Sequence, residues 1–276
     1  MNTETDSRPE PPIGETVQPR RSHRLRWTAL GVLIALAATG AVLWWFVVRG
    51  EAPPPASLDQ ALAGVEAAAP AATVDSDLQR GPPAPAPATT APVSPVEGTW
   101  SIDRSITNAQ GTGSYTGFRV NEVLSGIGST TAVGRTSTVE GTPTVQGTTL
   151  TAATINANLT GITTNDSRRN DAVQRALATS RFPSATFVLT KPVDVGSVPV
   201  EGQRITAAAT GDLTIRGVTR KVSRDVEAQL QSGVLVVVGS TDVAFSDYGV
   251  TAPSAPIVAS VDDHAVVEVQ QYFTRS

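Results

Sequence analysis

An uncharged run of 22 residues, from Trp27 to Val48, constrains this chain more than any other feature. As a helix rising 1.5 Å per residue it spans about 33 Å, enough for a hydrocarbon core of roughly 30 Å. A helix also satisfies its own backbone hydrogen bonds, which a bilayer requires. Trp27 opens the run and Trp44, Trp45 and Phe46 lie near its far end, where amphipathic rings prefer the interface. Arg20, Arg21, Arg24 and Arg26 precede it, whereas Arg49 and then Glu51 follow. That asymmetry orients the N-terminus toward the cytoplasm. Ala35-Leu36-Ala37 offers a small-x-small cleavage site, but the run continues for eleven residues beyond it, too far for a signal peptide. The expectation is a disordered cytoplasmic tail over 1–26, a single-pass helix in the cell membrane over 27–48, and an extracytoplasmic remainder.

Proline divides that remainder. Of the 20 prolines, 14 precede residue 97. Residues 51–96 alternate Pro with Ala, a composition that favours extended polyproline II and reads as a linker. Taken as coil, its 46 residues reach roughly 40 Å, and as polyproline II about 140 Å. Within it Ser57 caps a short helix through Ala69 with Leu58, Leu62 and Val65 on one stripe, marginal if it stands alone.

Residues 97–276 read differently. They carry 14 Lys and Arg against 16 Asp and Glu, and a period-two alternation, mostly of apolar residues, recurs. Phe118-x-Val120-x-Glu122-x-Leu124 is one such run; Val222 to Leu230, Val234 to Val238 and Val266 to Phe273 are others. Turn signals at Gly141-Thr142-Pro143, Gly196-Ser197-Val198-Pro199, Gly202 and Ser232-Gly233 separate about eight strand candidates. One helix is expected over Ser167–Thr179, with Asp166 or Ser167 as its cap and Ala172, Val173, Ala176 and Leu177 as its apolar stripe. The fold class is therefore all-β with one short helix, a sandwich or a closed barrel. An eight-stranded barrel is wide enough for one slender ligand.

Little catalytic chemistry is available. The chain has no Cys, two His and a net charge of −4. This excludes disulfides, thiol catalysis and multi-His metal cages, and argues against a nucleic-acid partner. His264 follows Asp262-Asp263 at a turn and has no nucleophile to activate, so no enzyme is expected. Asp242, Asp247, Asp262, Asp263 and Glu268 lack the spacing of a calcium loop and read as solvated carboxylates; no metal is expected. Arg168-Arg169 open the helix, either as a clamp for a ligand's head group or as surface residues paired with Asp166 or Asp171. Trp100, Phe118, Phe182, Phe187, Phe245 and Tyr248 read by composition as ordinary core.

Several segments, in order, resemble the YceI-like family. They are Gly98-Thr99-Trp100-Ser101-Ile102-Asp103, Ser167-Arg168-Arg169-Asn170-Asp171, Phe182-Pro183-Ser184-Ala185-Thr186-Phe187, Gly211-Asp212-Leu213-Thr214-Ile215-Arg216-Gly217-Val218-Thr219-Arg220 and Phe245-Ser246-Asp247-Tyr248-Gly249-Val250. The resemblance covers essentially all of 97–276. It implies an extended lipocalin-like antiparallel barrel that holds a polyisoprenoid, a quinone or a polyprenyl lipid, as cargo in an apolar tunnel. It further implies a tunnel lined by Trp100, Phe118, Val120, Phe182, Phe187, Leu189, Leu213, Ile215, Phe245 and Tyr248, with Arg168 and Arg169 at the head group. Two positions depart from the family: Glu122 stands where many relatives carry His, and Asn170 where Asp is usual. The expected function is a membrane-anchored extracytoplasmic lipid-binding protein with no cofactor besides its cargo. A cargo-free envelope stress or interaction protein with a filled barrel is the alternative.

Overall fold

A computed structural model describes residues 52–68, 95–108 and 112–276. The tail over 1–26 and the apolar run over 27–48 lie outside the described residues. Among the described residues no helix is long and apolar enough to cross a membrane.

One helix, α1 (Leu58–Ala68), precedes the strands. The first eight strands are β1 (Gly98–Ile102), β2 (Tyr115–Leu124), β3 (Gly128–Thr136), β4 (Val139–Gly141), β5 (Thr144–Gln146), β6 (Thr149–Ala152), β7 (Thr154–Asn158) and β8 (Thr163–Thr164). A second helix, α2 (Asn170–Leu177), leads to β9 (Ser184–Leu189), β10 (Val193–Asp194), β11 (Arg204–Ile215), β12 (Val218–Gln231), β13 (Val234–Ala244), β14 (Val258–Val261) and β15 (His264–Arg275). Every pairing is antiparallel.

The long hairpins are fixed by their turns. Arg216-Gly217 joins β11 to β12 and Ser232-Gly233 joins β12 to β13, and all four residues have positive φ, between 51° and 78°. Two consecutive left-handed residues make the turn whose twist matches that of antiparallel strands, and Gly occupies the second position at least cost. The register follows: Ile215 faces Val218, and Gln231 faces Val234.

Side by side the strands run β2, β15, β13, β12, β11, β9, β7, β4, and β3 flanks the other edge of β2. The chain itself joins the two ends, because β3 passes into β4 through residues 137–138. Two bonds tie this seam to β7: Thr136 Oγ1 donates to the Asn158 carbonyl at 2.7 Å, and the Asn158 amide donates to the Thr138 carbonyl at 2.9 Å. The sheet is thus curled into a barrel. β1, β5, β6 and β10 form a flap at one end. At the other end Leu213, Ile215, Val243 and Tyr248 form a buried plug with Leu177, Val218 and Val250.

Helix α1 departs from the sequence expectation of an isolated helix in a spacer. Its Leu58, Ala61 and Val65 are buried against Val236 and Val238 of β13 and Tyr272 of β15. These strand residues alternate with inward-facing neighbours, so α1 covers the outer wall. Burial of the predicted stripe supplies what a short helix lacks alone. Tyr272 Oη donates to the Ala61 carbonyl at 3.1 Å. Just before α1, Arg119 and Arg135 donate to the Pro53 and Pro54 carbonyls. The same two arginines flank Glu268, at 2.8 and 3.6 Å. Glu268 is only 2% exposed. The expectation of a solvated carboxylate fails there, because cations on β2 and β3 reach it across the sheet.

The second helix starts later than its sequence suggests. Ser167–Arg169 form a 3-10 turn capped by Asp166, whose carboxylate accepts the Arg168 amide, and α2 begins at Asn170. Asn170 Oδ1 accepts the Thr164 amide at 2.8 Å and so ties this start to β8.

Candidate functional site: an apolar cavity in the barrel

The curled sheet holds a partly open cavity of about 280 Å³. Period two explains its lining. On β12 the inward set is Val222, Arg224, Val226, Ala228 and Leu230; on β15 it is Val267, Val269, Gln271 and Phe273. β11 contributes Ile205, Ala207, Ala209 and Leu213. Small side chains dominate the middle of the wall, and that is why space remains. At one end Leu150, Val193, Val195 and Pro199 approach the cavity from the flap and the following loop. That loop exposes Val198 and Val200, at 44% and 58% the two most exposed large apolar side chains among the described residues. Asp194 holds its start: the carboxylate accepts the Gly196 amide at 2.9 Å and the Thr148 hydroxyl at 2.8 Å. These bonds hold the Asp194 carboxyl below its usual pKa, the Gly196 amide contributing most.

Of the ten residues implied as tunnel lining, Phe187, Leu189 and Leu213 border the cavity. Ile215 and Tyr248 sit in the plug below it. Burial, with Asp247 nearby, pushes the Tyr248 hydroxyl above its usual pKa. Trp100 is buried in the cluster beside the flap and donates through Nε1 to the Val96 carbonyl at 2.9 Å. Phe118 lies over Gly134, and Val120 faces Ala132 across β2 and β3. Phe182 packs against Gly217. Phe245 opens the 3-10 turn before Gly249.

The two arginines are already engaged. Arg168, 64% exposed, pairs with Asp166 at 2.6 Å. This pairing holds the Asp166 carboxyl below its usual pKa. Arg169 instead reaches Glu122 on the inward face of β2 and ion-pairs with it. Burial pushes the Glu122 carboxyl up, and Arg169 offsets only part of that rise. His264 is exposed, with Nδ1 3.0 Å from Asp263 Oδ1. Among the described residues no group of His, Cys, Asp and Glu has the arrangement of a metal site.

Polar groups facing the cavity are few. Arg224 Nε donates to Thr241 Oγ1 at 3.1 Å, where the ladder between β12 and β13 has ended at Val226 and Gly239. Thr116 on β2 and Gln271 on β15 also line it, and sequence reasoning passed over both. A legible signal existed for Gln271, the one polar residue at the alternate positions Val267, Val269, Gln271 and Phe273.

A curled antiparallel sheet around a mostly apolar interior cavity is an architecture of lipocalin type. Residues 100–273 match the YceI-like domain model, so this chain belongs to the YceI-like family. Among solved structures it is similar to a polyisoprenoid binding domain from Saccharophagus degradans implicated in plant cell wall breakdown. That likeness has 15% identity and a TM-score of 0.50, over 64% of this chain and 98% of that one. Burkholderia cenocepacia BcnA follows, with 17% identity and a TM-score of 0.45 over 57% and 95%. A Campylobacter jejuni YceI protein matches with 15% identity and a TM-score of 0.41 over 50% and 82%. No curated protein sequence matches.

Proposed function

We propose that this protein is a non-enzymatic lipid-binding protein that shelters one slender apolar chain, of polyisoprenoid type, inside the barrel. The observation that carries the reading is the 280 Å³ cavity among inward-facing Val, Ala, Leu and Ile side chains. Its size lies at the lower edge of the roughly 300–1,000 Å³ usual for ligand sites. It therefore suits a few isoprene units, with a longer chain leaving past Val198 and Val200. Each buried CH₂ contributes about 0.8 kcal/mol, so affinity needs no reactive group. Family membership, and the printed name of the Saccharophagus degradans domain, support the class of cargo. The run 27–48 anchors the chain in the membrane with the barrel outside the cytoplasm, a reading supported by its length and flanking arginines.

The test is extraction of residues 50–276, purified without detergent, with organic solvent. This range keeps α1, whereas starting at residue 97 would strip the cover from Val236, Val238 and Tyr272. Mass spectrometry is expected to find about one isoprenoid lipid per protein. Protein that is repeatedly empty and indifferent to added quinones and polyprenols would instead support the cargo-free alternative.

A further inference from the structure

We infer that Gln271 and Thr116 form the site that recognises the cargo's head group, and that this group is an uncharged oxygen acceptor, a carbonyl or hydroxyl, and not a phosphate. The inference rests on the lipid-binding reading and deepens it.

Gln270 and Gln271 are consecutive on β15, so they face opposite sides of the wall. Gln270, facing out, donates from Nε2 to the Gly113 carbonyl at 3.1 Å. Gln271, facing in, is 3% exposed and lines the cavity, yet its Nε2 has no partner. Thr116, on the neighbouring strand and also at the cavity wall, is half-buried, but its Oγ1 atom is itself shielded from solvent and without a partner. Thr116 faces Val269. Gln271 is therefore its diagonal neighbour, roughly 7–8 Å away or somewhat less between Cβ atoms, with both side chains within reach of one oxygen between them. Buried polar groups are nearly always paired, and an orphaned donor calls for a partner that arrives from elsewhere. The cavity-lining residues beside Gln271, Val237 across from it on β13 and Val269 and Phe273 on its own strand, are apolar, so cargo is the available source. The unpartnered atom of Gln271 is Nε2, a donor, so the atom it takes is an acceptor.

Charge decides between the two common kinds of head group. Arg224 is the cation that borders the cavity, and its Nε is already bonded to Thr241. Thr241 faces Val267, four residues from Gln271 along β15, or about 13 Å. A phosphate seated at Gln271 would lose its water with no cation beside it, which an amide and a hydroxyl cannot offset. A quinone carbonyl loses little and gains up to two hydrogen bonds.

The test uses the full chain in lipid nanodiscs and three probes sharing a chain of three isoprene units. They are a prenylated benzoquinone ¹³C-labelled at its carbonyls, the parent hydrocarbon and the prenyl monophosphate. After correction for partition into the bilayer, the quinone is expected to bind roughly 3–10-fold more tightly than the hydrocarbon per hydrogen bond made. The phosphate should bind most weakly, and the infrared carbonyl band should move to lower frequency on binding. Gln271→Leu should abolish both the preference and the band shift while leaving hydrocarbon binding intact, and Thr116→Val should remove part of each. An unchanged preference in Gln271→Leu, or a phosphate that binds as well as the quinone, overturns the inference. If the hydrocarbon binds as tightly as the quinone with no band shift, the head-group site fails alone. If none of the three binds, the lipid-binding reading fails with it.

Discussion

Glu122 sits on the inward face of β2 at the plugged end of the barrel, and its behaviour with pH follows from two opposed forces. Burial raises its pKa above the ordinary 4.5, and the Arg169 guanidinium lowers it by less. A carboxyl whose folded pKa lies above its unfolded value holds its proton longer in the folded state. Its contribution to stability is then greatest at low pH and is lost as pH rises from about 4.5 through the raised value. The melting temperature of the native chain minus that of Glu122→Gln should therefore fall between pH 4 and pH 7. A difference that grows with pH would show that the ion pair outweighs burial. A second residue-scale prediction concerns Gly211, which faces Leu189 on β9. A Cβ there would meet the Phe187 ring at 2.4 Å and the Val188 carbonyl at 2.5 Å. The ring could swing into the cavity, but the carbonyl is held in the sheet. Gly211→Ala should cost about 1–3 kcal/mol in denaturant unfolding and weaken cargo binding by pushing Phe187 inward.

The docking of α1 depends on a close approach. A Cβ on Gly64 would meet Asn108 Cα at 2.0 Å and the Thr107 carbonyl at 2.6 Å, both backbone atoms. Ala is the better helix former, so Gly64→Ala should strengthen the helix locally while detaching it from the barrel. Hydrogen exchange over 58–68 is expected to accelerate, with little change along β11 and β12. The same element shows where sequence stops being legible. Leu58, Leu62 and Val65 mark the apolar stripe, and Ser57 lies at the start, where its carbonyl accepts the Ala61 amide. The partner surface of Val236, Val238 and Tyr272 is distant in sequence, and nothing local encodes the pairing. Strands fared better because period two and the Ser232-Gly233 turn act locally. The cavity was only partly legible: large aromatic residues attract attention as tunnel lining, but several of them fill space beside it. The lumen exists where the wall carries Ala207, Ala209 and Ala228.

For the whole molecule, the docked segment changes what residues 51–96 can do. Four residues, 49–52, separate the end of the apolar run at Val48 from Pro53, whose carbonyl is bound by Arg119. Fully extended, the five steps between those positions cover about 18 Å. If 27–48 is the anchor proposed above, that span, and not the roughly 40–140 Å expected of a free 46-residue linker, sets the barrel's tether. A cut made after α1 should also fail to free the barrel at once, because Leu58, Ala61 and Val65 stay buried on β13 and β15. Leu and Val side chains buried this fully contribute about 1.5–3 kcal/mol each, and the Tyr272 hydrogen bond to Ala61 adds about 0.5–1.5 kcal/mol. With a specific protease site inserted between residues 80 and 90 of the full chain in membrane vesicles, cleavage should leave the barrel fragment sedimenting with the membrane. The same cut in Gly64→Ala should release it at least tenfold faster. Equal release rates would show that α1 does not hold the barrel, and a barrel found in the supernatant before cleavage would show that 27–48 is no anchor.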